Sequence, residues 1–229
     1  MNGSLHPITQ MIRISLKYFK DLGFEIAEGP EIENEWYNFD ALNVLYDHPS
    51  RDVQDTFWLK NGNLLRTHTT ATDVRAIKEQ KLAPPLKLII PGRCFRNEAT
   101  DNTHNYNFYH IDGIAIDKDL NMGDLIGILE GYMKTVFSNK IKSRVRPAHF
   151  SFVEPGIELD ILMPNGTWRE MLGAGMGHPN VLKNMGIDPE KWQAIMWGMG
   201  IDRYMMQLFQ LDDLRTAYGG DLRFLKQFK

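Results

Sequence analysis

PGRCFRNEATDNTHNYNFYHIDG, residues 91–113, reads as a strand, a long polar loop and a returning strand, and its chemistry is dense for its length. Arg96 and Glu98 stand two apart on an extended chain and therefore share a face. Such a pair can hold a phosphate with its cation while the carboxylate accepts from hydrogen-bond donors. Phe108, on the returning strand, offers a flat ring for stacking. The combination predicts a nucleotide site.

The rest of the chain sets limits on that reading. At 229 residues, 43% hydrophobic and 24% charged, it has the composition of a globular protein with a sizeable core. The length suits one large domain, residues 1–229. A formal net charge of −3 argues against a broad nucleic-acid-binding surface. The one basic run, KIKSRVR at 140–146, reads as a solvated helix end and strand. The single cysteine, Cys94, excludes an intrachain disulfide and any cysteine-cluster metal site. It falls in an apolar strand and reads as a packed thiol. No apolar run approaches the roughly 20 residues of a membrane span, and no signal-like segment follows Met1, so a cytoplasmic protein is expected.

Outward from the opening stretch, Pro7, Ile8, Met11, Ile12, Leu16 and Phe19 predict an amphipathic helix that Gly23 ends. A short strand over 24–28, a helix over 33–43 and a loop over 43–55 follow. A hairpin is expected from 56–59 and 64–67 around Asn61-Gly62. Thr70 is placed as the cap of a helix running to about Gln80. Strands are expected at 86–90 and through Ile114 and Ile116, then a helix over 124–137. Further strands begin at Val145 and cover 150–153, 157–162 and 168–172. Gly173–Gly177 reads as a glycine-rich loop, Asp188-Pro189 as the opening of a short helix, and Gly198-Met199-Gly200 as the lead into a last helix bearing Arg203. Hairpins with grouped helices predict an α+β fold on an antiparallel sheet.

Three separated elements give the pattern a family. Gly23-Phe24 leads to Pro30, FRNE (95–98) is followed by His104-x-x-x-Phe108, and Gly198-x-Gly-x-x-Arg203 opens a helix. In this order they resemble motifs 1, 2 and 3 of the class II aminoacyl-tRNA synthetases. YNFDALN, LLRTHTTATDVRAI, PGRCFRNE, GMGHPNVLKNMGIDPE and DLRFLKQF further resemble the α subunits of bacterial phenylalanyl-tRNA synthetases, over about 5–229. The resemblance implies a class II catalytic domain, an antiparallel sheet flanked by helices. It also implies that an amino acid carboxylate attacks the α-phosphate of ATP. By the same resemblance, Arg96 takes the α-phosphate, Glu98 accepts from the adenine amino group and Phe108 stacks under the ring. His104 belongs to the motif 2 loop on the ATP side. Arg203 covers the other adenine face and reaches the γ-phosphate. Glu170 helps hold Mg²⁺, with Asp160 as the second candidate ligand.

The amino acid side keeps part of the pattern. His68 and Thr70 match positions near the substrate's amino group, with Thr70 in place of serine, and Phe150 and Phe152 keep the family's Phe-x-Phe. Where the family reads His-Gln-x-Glu-Gly, this chain reads Tyr109-His110-Ile111-Asp112-Gly113. Met196 stands where the family has an alanine that leaves room for the phenyl ring. Overpacking a fitted pocket costs about 1–3 kcal/mol, so the expectation is a substrate smaller or more polar than phenylalanine. Phenylalanine remains the alternative, with Met196 turned aside.

The resemblance further implies a self-dimer or a β-type subunit at motif 1, and tRNA contact through regions absent from this chain. The chain is read either as an excised domain of an ordinary synthetase or as a free-standing paralog that passes its acyl group to another acceptor. A catalytically inert binding or regulatory module is the reading from another class, and the intact ATP set counts against it.

Overall fold

The computed structural model describes residues 3–52 and 55–228. Met1, Asn2, Val53, Gln54 and Lys229 lie outside the described residues, and with them the end of the loop expected at 43–55. In chain order the elements are α1 (Pro7–Asp21), β1 (Glu25–Ile26), β2 (Ile32–Glu33), α2 (Glu35–Asn38), β3 (Leu64–Leu65), α3 (Thr70–Glu79), β4 (Leu86–Phe95) and β5 (Asn107–Asp117). Then come α4 (Met122–Val136), β6 (Ser143–Phe150), β7 (Val153–Leu162), β8 (Trp168–Gly177), α5 (Pro179–Met185), β9 (Gln193–Gly200), α6 (Ile201–Leu208), α7 (Arg215–Tyr218) and α8 (Leu222–Leu225).

One seven-stranded sheet, in the order β1-β4-β5-β9-β8-β7-β6, carries the fold. Its neighbours pair antiparallel except β1 with β4, which is parallel. Alternation along β5 sends Ile111 and Ala115 to one face and Ile114 and Ile116 to the other. The first face is sealed by α1, α4 and α6 through Phe19, Tyr132, Tyr204 and the buried Trp197. The second face is covered by α3 and α5 through Val74, Ile77, Val181 and Met185.

Several expectations are corrected. The 33–43 segment is α2 followed by a 3₁₀ turn, Asp40–Leu42, instead of one helix. The 56–67 hairpin shrinks to a single bridge, Trp58 with Leu64, because β3 pairs with β2 instead. The helix expected at Asp188-Pro189 is absent among the described residues. The chain turns there, and the helix lies earlier, where Pro179 supplies a pre-set first residue and His178 accepts from Asn180 N–H at 3.1 Å. The Arg203 helix is followed by α7 and α8.

The expected glycine loop at 173–177 is the end of β8. Its alternate glycines face the second side of the sheet, where Phe150 and Val153 lie directly on the backbone. A Cβ built on Gly173 would fall 2.5 Å from Phe150 Cζ, and one on Gly175 2.7 Å from Val153 Cβ. These glycines make room for packed side chains, so they need no turn to explain them.

Candidate active site

Register explains the placement of the site. Cys94 pairs with Phe108, and Asp112 with Gly198, so even-numbered residues of β5 and β9 share the second face. Phe108, His110, Asp112, Met196 and Gly198 therefore project to one side, beyond the reach of α5. Gly198 is glycine for a steric reason: a Cβ there would lie 2.5 Å from Asp112 Oδ1 and 2.9 Å from His110 Cε1.

A cavity of about 370 Å³ opens on this face. Arg96, Glu98, His104, Phe108, Glu170 and Arg203 line one part of it. His68, Thr70, His110, Phe150 and Phe152 line the other. These residues come from five separate stretches of sequence. The structure thus brings eleven of the expected site residues to one wall and leaves three off it: Asp112, Met196 and Asp160.

On the first part, Arg96 and Glu98 lie just past the end of β4, so the expected shared strand face is replaced by a loop held at Arg96 N–H to Tyr106 C=O, 2.9 Å. The Arg96 guanidinium carbon stands 4.9 Å from the Phe108 ring centroid. His104 is engaged within the loop, its Nδ1 3.1 Å from Asp101 Oδ2. Arg203, at the start of α6, donates to the Glu170 carbonyl at 2.9 Å and to its carboxylate at 3.2 Å. Both side chains are more than two-fifths exposed, so this ion pair is weak and each partner is free to exchange for a ligand.

Glu170 fits Mg²⁺ in one mode. Among the described residues no group of three or more His, Cys, Asp or Glu could hold a metal unaided. A single wall carboxylate on an open cavity suits an ion that takes most of its oxygens from a bound ligand and water. Asp160 does not fit. It is 1% exposed, and its oxygens are taken by Arg146 at 2.7 and 3.0 Å and by Arg144 at 2.8 Å. Those arginines hold its carboxyl below the usual range, and it is a structural anchor of β6 on β7.

On the second part, Thr70 does not cap α3. The N-cap position is Thr69, without a side-chain capping bond, and the Thr70 hydroxyl donates to Asp112 instead. Asp112 is completely buried, and its other oxygen stands 2.8 Å from His110 Nδ1. Burial pushes its pKa up, but His110, Thr70 and His68 together hold it below the usual carboxylate range. His68 is pushed down to about 4 by burial against the opposing pull of Asp112, so it is neutral near pH 7. Asp112 therefore acts from behind the wall, through His110 and Thr70. Met196, 1% exposed, pairs with Ile114 and Gly175 and fills the apolar floor beneath it.

Among the residues of the site region that escaped sequence reasoning, three bear on its chemistry. Asp202, 6% exposed, lines the cavity and accepts from Tyr109 N–H at 2.7 Å. Leu214 closes the wall, its N–H on the Asn102 carbonyl at 2.8 Å. Asp73 is fully buried on α3 with neither carboxylate oxygen hydrogen-bonded; burial, and then the charge of Asp112, raise its pKa well above the ordinary value. An acid three residues after Thr70, on the face carrying Val74 and Ile77, was the one available signal.

A family model described as the tRNA synthetases class II core domain (F) matches residues 1–228. The phenylalanine–tRNA ligase α subunit of Yersinia enterocolitica (serotype O:8 / biotype 1B) is 45% identical over 228 residues, covering all of this chain and 69% of the relative. That of Yersinia pestis (strain Pestoides F) is 44% identical with the same coverage. Among solved structures, the pyrrolysyl-tRNA synthetase of Desulfitobacterium hafniense matches with a TM-score of 0.72 at 16% identity, over 92% of this chain and 72% of that one, a likeness of fold.

Proposed function

The chain belongs to the class II tRNA synthetase core-domain family, and we propose that it activates an amino acid with ATP as the catalytic domain of a phenylalanyl-tRNA synthetase α-type ligase. One observation carries this reading: phosphate-, base- and amino-acid-directed side chains from separate segments line one cavity.

In this reading Arg96 neutralises charge that builds on the α-phosphate oxygens as the amino acid carboxylate attacks phosphorus. The new P–O bond forms as the bond to the β-phosphate breaks, and pyrophosphate leaves with its electron pair. A fixed guanidinium stabilises that charge without reorganising. Glu98 accepts from the adenine amino group, while Phe108 and Arg203 flank the ring, and the loop around His104 closes over it. Mg²⁺, when bound, shields the triphosphate's charge, and Glu170 is the protein carboxylate that would hold it. His68, Thr70 and His110, backed by Asp112, receive the ammonium. Phe150 and Phe152 bound the side-chain space.

A second reading of the substrate is supported by Met196. It packs the floor that a phenyl ring would need, which favours an amino acid smaller or more polar than phenylalanine. Amino-acid-dependent ATP–pyrophosphate exchange across the twenty amino acids tests both readings. No exchange with any amino acid sinks the activation reading, and a clear phenylalanine preference sinks the second.

Transfer of the acyl group to a tRNA 3′ end completes the ordinary reaction, with tRNA contacts supplied by regions outside this chain, in the cytoplasm. The edge strand β1 and the end of α1 leave Ile26 and Leu22 each 38% exposed. A second copy or a β-type subunit is assigned to this edge, and sedimentation of the purified chain distinguishes a self-dimer from a lone subunit.

A further inference from the structure

The main-chain ladder between β5 and β9 ends at the pair His110–Gly200. Beyond it the two chains part, one toward Phe108 and the other into α6 toward Arg203. Those are the two side chains assigned to opposite faces of the base, and their separation must match the thickness of one ring. What continues the ladder across this gap is a side chain. Tyr109 N–H, one residue from Phe108, donates to Asp202 Oδ2 at 2.7 Å, one residue from Arg203. Gly200, the N-cap of α6, makes no side-chain cap, so Asp202 ties the helix start to the strand.

Asp202 is held from its other side. Its Oδ1 accepts from the hydroxyl of Tyr218, in the C-terminal segment. That segment is itself fixed at two points. The Ala217 carbonyl meets His6 Nε2 at 2.8 Å, and Leu214 N–H donates to Asn102 in the 96–106 loop at 2.8 Å. A single buried carboxylate thus joins β5, α6 and the C-terminal segment.

We propose that Asp202 and Tyr218 are positioning residues that set the gap between Phe108 and Arg203, and so the fit of the nucleotide base. The inference rests on reading the cavity as an ATP site. Losing the Tyr218 hydroxyl leaves the carboxylate one fixed partner instead of two, and it is then free to turn and carry the start of α6 with it. Arg96's contact to the α-phosphate does not run through this carboxylate, whereas Arg203's reach to the γ-phosphate does, so a triphosphate without a base reports the phosphate share of any loss.

The test uses the full chain with Tyr218→Phe, which keeps the ring and removes the hydroxyl. Titration calorimetry measures Kd for ATP and for inorganic tripolyphosphate, both with Mg²⁺. We expect the Kd for ATP to rise about three- to tenfold, less than the roughly 10- to 100-fold of a directly lost hydrogen bond to a charged group because this bond acts on the base through α6, while that for tripolyphosphate rises by a clearly smaller factor. Asp202→Asn, a second variant should the first fold poorly, is expected to show the same selective loss. Unchanged ATP affinity, or equal weakening of both ligands, overturns the proposal, since a merely structural role would not single out the base. Failure of the wild-type chain to bind ATP would overturn the ATP-site reading itself, a result distinct from either.

Discussion

His110 Nδ1 stands 2.8 Å from a carboxylate oxygen of Asp112, two residues along the same strand and on the same face. The imidazole lines the cavity and the carboxylate lies wholly behind it. In the proposed reading, this arrangement presents a buried negative charge to the substrate's ammonium through an intermediary ring. Asp112→Asn keeps the shape and removes the charge. The loss of one charge-assisted partner corresponds to about 1.5–3 kcal/mol, or roughly 10- to 100-fold. The expected result is a rise of that size in KM for the amino acid with Kd for ATP unchanged. Pyrophosphate exchange against amino acid concentration, beside an ATP titration, checks it. Equal weakening of both ligands would count against the assignment.

The buried acids behind the pocket make a pH prediction with a definite sign. Burial and the charge of Asp112 raise the Asp73 pKa in the fold, so the folded chain releases this proton at a higher pH than the unfolded chain, which releases it at about pH 3.9. Its contribution is present in acid and is lost as pH rises from the unfolded value. His68 runs the other way. Its folded pKa, about 4, lies below the unfolded value near 6.5, so its contribution is full above that value and falls away as pH drops from about 6.5 to about 4. Asp73→Asn removes the first effect and leaves the second. Thermal melts should show the variant gaining on wild type with rising pH, by about 1–3 kcal/mol at pH 8 and little at pH 4.5. A pH-independent difference would show that Asp73 is not the buried, unsatisfied acid described here.

Arg96 gives the sharpest test of the chemistry. Its guanidinium is the cation nearest the Phe108 ring, 4.9 Å from the centroid. Losing one preorganised donor to transition-state charge costs about 10²–10³ in rate. Arg96→Ala should lower kcat for pyrophosphate exchange by that factor while the protein melts normally, because Arg96 is exposed and supports no core packing. Arg96→Lys should recover only part of the loss, since an ammonium keeps the charge without the fork. Full recovery with lysine would argue for simple charge neutralisation, and no loss with alanine would remove Arg96 from the reaction.

Much of this was legible in the sequence for physical reasons that are local. The amphipathic spacing of Ile8, Met11 and Phe19 and the alternation around Ile114 are local patterns, and α1 and β5 form where expected. Arg96, Glu98 and Phe108 were legible from their own chemistry, whereas His68, Thr70, Phe150, Phe152, Glu170 and Arg203 were legible only through the resemblance to the class II synthetases. What misled was context. Gly173–Gly177 looks like a loop until Phe150 is seen lying on Gly173 and Val153 on Gly175. Thr70 looks like a cap until Asp112 approaches from 42 residues away. Asp160 looks like a metal ligand until Arg144 and Arg146, one strand over, take its oxygens. Each depends on a partner distant in sequence, and no local pattern encodes it.

Met196 links packing to substrate choice most directly. It is 1% exposed, pairs with Ile114 and Gly175, and carries its sulfur beside the Gly177 backbone. Met196→Ala opens a cavity under Phe150 and should destabilise the free protein by about 2–5 kcal/mol. The space opened lies in the apolar cluster against which Phe150 and Phe152 pack, so an aromatic side chain can occupy part of it. The preference for phenylalanine over the wild type's best substrate, measured as a ratio of kcat/KM in pyrophosphate exchange, should rise about 10- to 100-fold. Phenylalanine should also raise the variant's Tm more than it raises the wild type's, because it restores the lost contacts. A variant that is destabilised but shows neither change in preference nor selective rescue would mean that Met196 is core alone, and that the substrate's side chain never reaches the floor it fills.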